Sequence, residues 1–245
     1  MFDSCFVARL SRYLELTQLE RDAIADLERN PKSYPAGTTL FTEGEDVSEL
    51  LIVHQGWALS ETALSGGKRQ ILRFHFSGDM IGASGIAFRD APSSIIAATE
   101  MVVCCFPRKA LGEIFEAHPR LAALFFSISQ MESIDLSDRL RSLGRSDGKA
   151  RLANLFLSIA ARMRAVTGEY NPVVRIPLTQ TDLGDAVGLT QVHVNRLIRQ
   201  MTEEKLITRN RSTVTIIDEA GLVGLARFAD RFSSLDTGWF PPARA

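Results

Sequence analysis

The spacing of apolar positions changes several times along the chain. In residues 3–29 these positions recur at helical intervals, and Thr17 followed by Glu20 has the pattern of a capping box that opens a second short helix. From Tyr34 onward, short apolar or alternating runs are separated by glycine and proline turns, which is typical of a β sandwich or barrel. The predicted strands are 38–41, 49–53, 57–61, 70–76, 94–98 and 102–106.

A helical period returns from residue 108, first as a short helix that ends near His118-Pro119. The next helix carries an apolar stripe with alternating spacings of three and four: Leu121, Leu124, Phe125, Ile128, Met131 and Ile134. This spacing suits a seam between two copies of the chain, and it equally suits a helix lying on its own β domain. The polar, glycine-bounded segment 144–148 is the predicted hinge. Arg139 and Arg141 beside it are interpreted as phosphate contacts or as helix-end charges.

The segment beyond the hinge has the pattern of a winged helix-turn-helix. A helix over 150–166 and a strand over 173–176 precede two capped helices joined by Gly188, and two strands follow over 207–217. The outward polar positions are those that read DNA in this layout. The candidate DNA-binding residues are Thr179, Gln180, Thr190, Gln191, Val192, His193, Asn195, Arg196, Arg199, Arg209 and Arg211.

The chemistry of these residues suits duplex DNA. Glutamine and asparagine pair with adenine edges, arginine pairs with guanine, and valine can contact the thymine methyl group. Threonine hydroxyls and backbone N–H groups at a helix start hold phosphates. Residues 148–211 contain ten lysines and arginines against five acidic residues, whereas the whole chain has a net charge of −1. The alternative for this region is a helical hairpin with unrelated surface polar residues.

With these residues in view, the chain resembles the CRP/FNR family of bacterial transcription regulators over nearly its full length. The blocks 77–82 and 187–196 are similar to the family's glycine-rich turn and recognition segment. The resemblance implies an α+β fold with an N-terminal antiparallel, eight-stranded β-roll (a cupin-like jelly roll), a long dimerisation helix and a C-terminal winged helix-turn-helix. It also implies a homodimer that binds a two-fold symmetric DNA site and recruits or blocks RNA polymerase.

The implied domains are a sensor domain over 1–118, a dimerisation helix and hinge over 119–147, a DNA-binding domain over 148–222, and a helix and tail over 223–245. The dimer helix would use Leu121, Leu124, Ile128 and Met131.

The predicted effector pocket departs from the cyclic-AMP-binding members of the family. Those members have a Glu where Ala83 stands and an Arg-Ser pair where Ser93-Ser94 stand. Without that arginine a buried phosphate lacks its counter-charge, so we expect no response to cyclic AMP, with Arg89 as the alternative cation. The degenerate pocket comprises Gly82, Ala83, Ser84, Arg89, Ser93 and Ser94. The effector is unknown or absent.

No cofactor and no metal site are expected. Three cysteines are too few for the four thiolates of an iron–sulfur cubane. Cys104 and Cys105, adjacent in a strand, face opposite ways and are interpreted as plain buried thiols, one in the core and one at a surface or interface, with a redox switch as the alternative. Haem ligation by His54 or His75 is a further alternative.

Other functional classes find little support in the sequence. There is no nucleophile–base pair, metal cluster or phosphate loop, so we expect no enzyme. No apolar run is long enough for a membrane span, and Met1–Leu10 has no export signal, so a cytoplasmic location without membrane contact is expected. The alternative function is a ligand-binding module whose C-terminal domain docks proteins instead of reading DNA.

Overall fold

The fold was analysed in a computed structural model, which describes residues 4–243. The first three residues of the N-terminal stretch and the last two of the tail therefore lie outside the described part. The chain divides into a first compact unit, made of residues up to 128 and from 235 onward, and a second unit over 129–234. The α+β class is confirmed. None of the described helices is both long and apolar enough to cross a membrane.

Two short helices open the first unit, α1 over Cys5–Leu10 and α2 over Gln18–Asp26. The predicted capping box at the start of α2 is present. The Thr17 hydroxyl accepts a hydrogen bond from the Glu20 N–H at 3.2 Å, and the Glu20 carboxylate accepts one from the Thr17 N–H at 2.8 Å. Two N–H groups that a helix start leaves unpaired are satisfied in this way.

Eight strands form the β-roll of this unit. They are β1 Pro31–Tyr34, β2 Thr39–Phe41, β3 Glu49–Gln55, β4 Trp57–Ala63, β5 Arg69–Phe76, β6 Met80–Ile81, β7 Ser94–Ala97 and β8 Met101–Pro107. They pair antiparallel in two sheets, with orders β1-β8-β3-β6 and β2-β7-β4-β5. The six strands predicted from alternation are present. The pattern missed β1, which is polar and largely exposed, and β6, which has only two residues.

Apolar side chains fill the space between the two sheets. The buried cluster consists of Leu51, Val53, Ala58, Ile81, Ile95, Ala97, Met101, Val103 and Cys105. Tyr34, Leu40 and Phe41 pack against it. The inward positions of both sheets therefore make one hydrophobic core.

Helix α3 spans Arg108–Ala117, and α4 spans Pro119–Arg145. The four residues assigned to the dimer seam are buried within the protomer, which corrects that prediction: Leu121, Leu124, Ile128 and Met131 are at most 9% exposed. The spacing indicated correctly that these four positions are covered, but spacing carries no information on what covers them, and Ile134 at the end of the stripe is exposed. The apolar residues that α4 leaves exposed are Phe126, Ile134, Leu136 and Leu140.

The predicted hinge is shorter than expected. Helix α4 continues through Gly144 to Arg145, and α5 begins at Gly148 and extends to Thr167. Only residues 146–147 separate the two helices. Asp147 is the N-cap of α5, since its carboxylate accepts a hydrogen bond from the Ala150 N–H at 2.8 Å.

The rest of the second unit is a winged helix-turn-helix. It contains β9 Val173–Arg175, α6 Gln180–Val187, α7 Gln191–Glu203, β10 Ile207–Asn210, β11 Thr213–Ile216 and α8 Glu219–Ala226. The three strands form one antiparallel sheet in the order β10-β11-β9. Helix α8 starts before the predicted boundary at residue 222 and ends where Arg227 adopts a left-handed conformation, so it belongs to this unit.

Candidate DNA-binding site

Both helices of the helix-turn-helix begin at the threonine caps that the sequence predicted. Thr179 and Asp182 form a reciprocal capping box at the start of α6, with hydrogen bonds of 3.1 and 2.8 Å. The Thr190 hydroxyl accepts a hydrogen bond from the His193 N–H at 3.3 Å at the start of α7. These caps fix where each helix begins and therefore which side chains α7 turns outward.

Two glycines shape the turn between these helices. Gly188, which joins the two helices as the sequence predicted, has φ +67°, a left-handed conformation that glycine adopts without strain. Gly184, inside α6, was missed. A Cβ atom at Gly184 would lie 2.4 Å from the carbonyl oxygen of Leu189, whose N–H donates to the Gly184 carbonyl at 2.9 Å. The turn therefore folds back so closely on α6 that only glycine fits.

Helix α7 has one buried and one exposed face. Its buried residues are Val194, Leu197, Ile198 and Met201. Its exposed residues include Gln191, Val192, His193, Asn195, Arg196 and Arg199. Val192 is 80% exposed at the start of the helix. A large apolar side chain left so open beside polar ones suits contact with another macromolecule.

The exposed polar side chains of α7 differ in whether they hydrogen-bond to other side chains of the protein. Asn195 donates to the Gln180 side chain at 3.2 Å, and the Arg199 guanidinium is 2.9 Å from the Glu203 carboxylate. Gln191 accepts a hydrogen bond from Thr181 at 3.5 Å. The Arg196 side chain has no hydrogen-bond or ion-pair partner among residues 4–243. Its guanidinium therefore keeps its donors available.

The two wing arginines have different environments. Arg209 is half-buried and donates to the carbonyl oxygens of Leu178 at 2.7 Å and Arg211 at 3.1 Å. Burial lowers the pKa of Arg209. Arg211 is exposed at the tip of the wing with φ +49°. Arg209 thus fastens the wing to the segment before α6, while Arg211 is open to solvent.

Two further arginines hold the end of α6, a role that sequence patterns did not indicate. Arg139 on α4 donates to the Ala186 carbonyl at 2.8 Å, and Arg151 on α5 donates to the Val187 carbonyl at 2.9 Å. Cations favour the C-terminal end of a helix. Desolvation, the main cause, lowers the pKa of Arg139 to about 10. Arg139 is therefore a buried internal contact, and Arg141 pairs with Asp138 at 3.1 Å.

The predicted effector-pocket residues lie around a short 3-10 helix in the roll, Ala83–Ala87, which follows Gly82 at φ +90°. Ser84 lies within this helix, Ser93 is buried, and the Ser94 hydroxyl accepts a hydrogen bond from the Glu43 N–H at 3.0 Å.

The two arginines near this segment are turned to other groups. The Arg89 side chain is 83% exposed, with its Nε 3.7 Å from the Asp46 carboxylate. Arg108, which the sequence did not single out, donates to the Phe88 carbonyl at 3.0 Å and so braces the same loop.

Three of the four candidate redox and haem residues are buried, and His54 is partly buried. Cys104 and Cys105 are both free and buried, so the expectation that one of them lies at the surface is wrong. Burial is the main cause that raises the pKa of each thiol, to about 11 for Cys104, which disfavours the reactive thiolate. His75 is buried with its Nε2 2.6 Å from the Ser60 hydroxyl, and His54 Nδ1 lies 3.0 Å from the Cys5 sulfur.

Comparison with known proteins agrees with this architecture. Residues 31–118 match the cyclic nucleotide-binding domain family, and residues 150–225 match the Crp-like helix-turn-helix domain family. The transcriptional activator protein FnrA of Stutzerimonas stutzeri is 26% identical over 91% of both chains, and the transcriptional activator protein anr of Pseudomonas aeruginosa is 25% identical over the same shares.

The fold itself has close counterparts among solved structures. The structure of FixK2 from Bradyrhizobium japonicum aligns with a TM-score of 0.73 at 22% identity, over 82% of this chain and 98% of that one. The two domain matches together span about two-thirds of the chain. The first match covers the β-roll, and the second covers the helix-turn-helix that follows it. The chain therefore belongs to the CRP/FNR family, and it is a transcription regulator with a DNA-binding helix-turn-helix and not an enzyme.

Proposed function

We propose that this regulator is a homodimer that reads a two-fold symmetric DNA site with α7 and does not respond to cyclic AMP. One observation carries the proposal: α7 leaves Val192 80% exposed next to Arg196, whose guanidinium is unengaged among the described residues. Arginine pairs with guanine in the major groove, and valine suits the thymine methyl group. Bound to its site, the dimer recruits or blocks RNA polymerase.

The phosphate contacts come from groups around α7. The threonine caps Thr179 and Thr190 place hydroxyls and N–H groups at two helix starts, where anions are favoured. Gln180, Gln191, His193, Asn195 and Arg199 line the same surface, and Arg211 lies at the wing tip. We assign Arg209 a supporting role there, because its guanidinium already holds two carbonyl oxygens.

Arg196→Ala tests the reading role of α7. A duplex site selected from a randomised library with the wild-type protein serves as the probe, and fluorescence anisotropy gives affinity. We expect a loss of about 1–3 kcal/mol and a relaxed preference at one base position in each half-site. Lys109→Ala, which removes an exposed cation from α3, is the matched control. Unchanged affinity and base preference in Arg196→Ala would instead favour the protein-docking alternative.

The dimer contact is best placed on the exposed side of α4. Phe126, Leu136 and Leu140 are 59%, 59% and 70% exposed, and they fall in one three–four register together with Ser129 and Ser133. Apolar residues in this register suit a two-helix seam, and serines between them allow close approach of the helices. Leaving such side chains exposed to water is unfavourable, so we expect a second copy of α4 to bury them.

The lack of a cyclic AMP response rests on charge. Ala83, Ser93 and Ser94 supply no cation for a phosphate, and the Arg89 guanidinium is directed to Asp46 on the surface. A phosphate desolvated there without a counter-charge would cost several kcal/mol. Isothermal titration with cyclic AMP is expected to give no saturable heat, and micromolar binding would refute this part of the proposal.

The domain division that accompanies this function is a sensor domain over 1–118, a dimerisation helix with its hinge over 119–147, and a DNA-binding domain from residue 148. We extend the DNA-binding domain beyond residue 222 to include all of α8.

A further inference from the structure

Three side chains of metal-ligand type meet in the first unit, and none of them belongs to the predicted effector pocket. Cys5 lies on α1, Glu28 follows α2, and His54 lies on β3. One sulfur, one oxygen and one nitrogen atom from these residues all lie within 4.8 Å of one another, and each residue is partly buried. The three residues are far apart in sequence, so no local motif indicates the cluster.

The distances suit a mononuclear metal site. The Cys5 sulfur is 3.0 Å from His54 Nδ1 and 3.5 Å from Glu28 Oε1. In a tetrahedral zinc site, with bonds of about 2.0–2.3 Å, neighbouring ligand atoms are about 3.5 Å apart. The two distances from the Cys5 sulfur are therefore within about half an ångström of this spacing, and the Glu28 and His54 donor atoms lie within 4.8 Å of each other.

Neighbouring hydroxyl groups hold two of the three ligands. The Ser4 hydroxyl donates to the second carboxylate oxygen of Glu28, which leaves Oε1 directed at Cys5. The Ser77 hydroxyl donates to the His54 carbonyl at 3.0 Å and so fixes the backbone at that position. Such outer contacts orient ligands before a metal arrives.

The donor set suits a cation. Glu28 contributes a carboxylate, and Cys5 contributes a thiol that loses its proton when it binds a metal. A divalent ion would therefore neutralise the Glu28 charge, and the Cys5 proton would pass to solvent.

We propose that Cys5, Glu28 and His54 bind one exchangeable divalent transition-metal ion of the zinc class. A thiolate with an imidazole selects such ions over Mg²⁺ and Ca²⁺, which prefer oxygen ligands. Three protein ligands leave the fourth tetrahedral position to water, as in sites that stay accessible to exchange. The site joins α1 and the end of α2 to β3, and it does not depend on how the protein reads DNA.

Metal titration of the full-length chain tests this site. Protein treated with chelator and kept reduced is titrated with Zn²⁺ by calorimetry, and one equivalent is expected to bind. Cys5→Ser and His54→Gln are each expected to weaken binding at least tenfold. With Co²⁺ as the probe, the wild type should show a sulfur-to-cobalt charge-transfer band that Cys5→Ser lacks.

Matched variants separate ligand loss from misfolding. Cys105→Ala removes a cysteine from the roll core, and His118→Gln removes a histidine from the end of α3, and both should bind Zn²⁺ like the wild type. Glu28→Gln keeps a side-chain oxygen for Ser4 and should fold normally by circular dichroism while binding more weakly. A wild type that binds no stoichiometric Zn²⁺, or that binds it no more tightly than Cys5→Ser and His54→Gln, overturns the proposal.

Discussion

Arg9 on α1 forms a buried ion pair with Asp79 in the glycine-rich turn 77–82. The Arg9 guanidinium contacts the Asp79 carboxylate and also donates to the Gly78 carbonyl at 2.9 Å. The same carboxylate accepts a hydrogen bond from the Phe76 N–H at 3.0 Å. This ion pair fixes the turn to α1. Its two residues are 70 positions apart in sequence, so no local pattern predicts the pair.

Arg9→Met tests how much the ion pair of Arg9 and Asp79 contributes to the stability of the fold. The substitution keeps an apolar stem but leaves the Asp79 charge buried without its partner, so we expect a loss of about 3 kcal/mol in the free energy of unfolding. Denaturant titration, followed by the fluorescence of the buried Trp57, measures it. Arg29→Met breaks the exposed pair with Asp26 and should leave stability unchanged. Equal stability of the two variants would contradict this assignment.

How far single residues could be predicted depends on how local their contacts are. The caps Thr17, Thr179 and Thr190 were predicted correctly, because each bonds to a group only three residues away. The partners of Arg209 and Cys5 were not, because the contacts of these side chains are 31 and 49 residues distant. Sequence spacing reports which face a side chain occupies, whereas its hydrogen-bond partner depends on the folded topology.

Whole helices and strands, like single residues, could be predicted as far as their pattern is local. Strands with clear alternation were predicted, while β6 was missed because two residues cannot display a period. On α4, the positions Leu121, Leu124, Ile128 and Met131 were recognised as covered, but the resemblance assigned their cover to a second chain, whereas they are buried within the protomer. Helix α4 has apolar residues on two sides, and the sequence period alone cannot say which side packs on its own protomer.

Glycine-to-alanine substitutions in two helices should have opposite effects on the stability of the protein. Gly184→Ala places a methyl group against the Leu189 carbonyl, so we expect a loss of about 1–3 kcal/mol and weaker DNA binding, since the turn must shift. Gly224→Ala in α8 meets nothing within 4 Å and should gain about 0.5–1 kcal/mol from helix propensity. Thermal unfolding by circular dichroism distinguishes them. A Gly184→Ala protein as stable as the wild type would show that the turn is not close-packed.

At the scale of the whole molecule, the C-terminal third has a modest excess of positive charge. Residues 148–211 contain ten lysines and arginines against five acidic residues, and three of these cations lie in ion pairs: Lys149 with Glu204, Arg164 with Glu219 and Arg199 with Glu203, at 2.8–3.0 Å. Such a general attraction for phosphates does not distinguish one DNA sequence from another. In the proposed dimer, two copies of α7 read one symmetric site together, so the proposal makes specific binding depend on the oligomeric state.

Leu140→Glu tests that dependence. A glutamate in the proposed α4 seam would face the same glutamate of the second copy across the two-fold axis. Because the two charges repel and apolar burial is lost, we expect the dimer to dissociate to monomers. Sedimentation at micromolar protein concentration measures this change. Ile134→Glu is the matched control, because Ile134 is 48% exposed on α4 but lies outside the register of Phe126, Leu136 and Leu140. Only Leu140→Glu should lose binding to a symmetric site while keeping its helical content by circular dichroism. If Leu140→Glu stays dimeric, or if Ile134→Glu dissociates equally, the seam lies elsewhere. In the proposed dimer each protomer reads one half-site, so the wild-type protein should bind only sites whose half-sites lie about one helical turn apart.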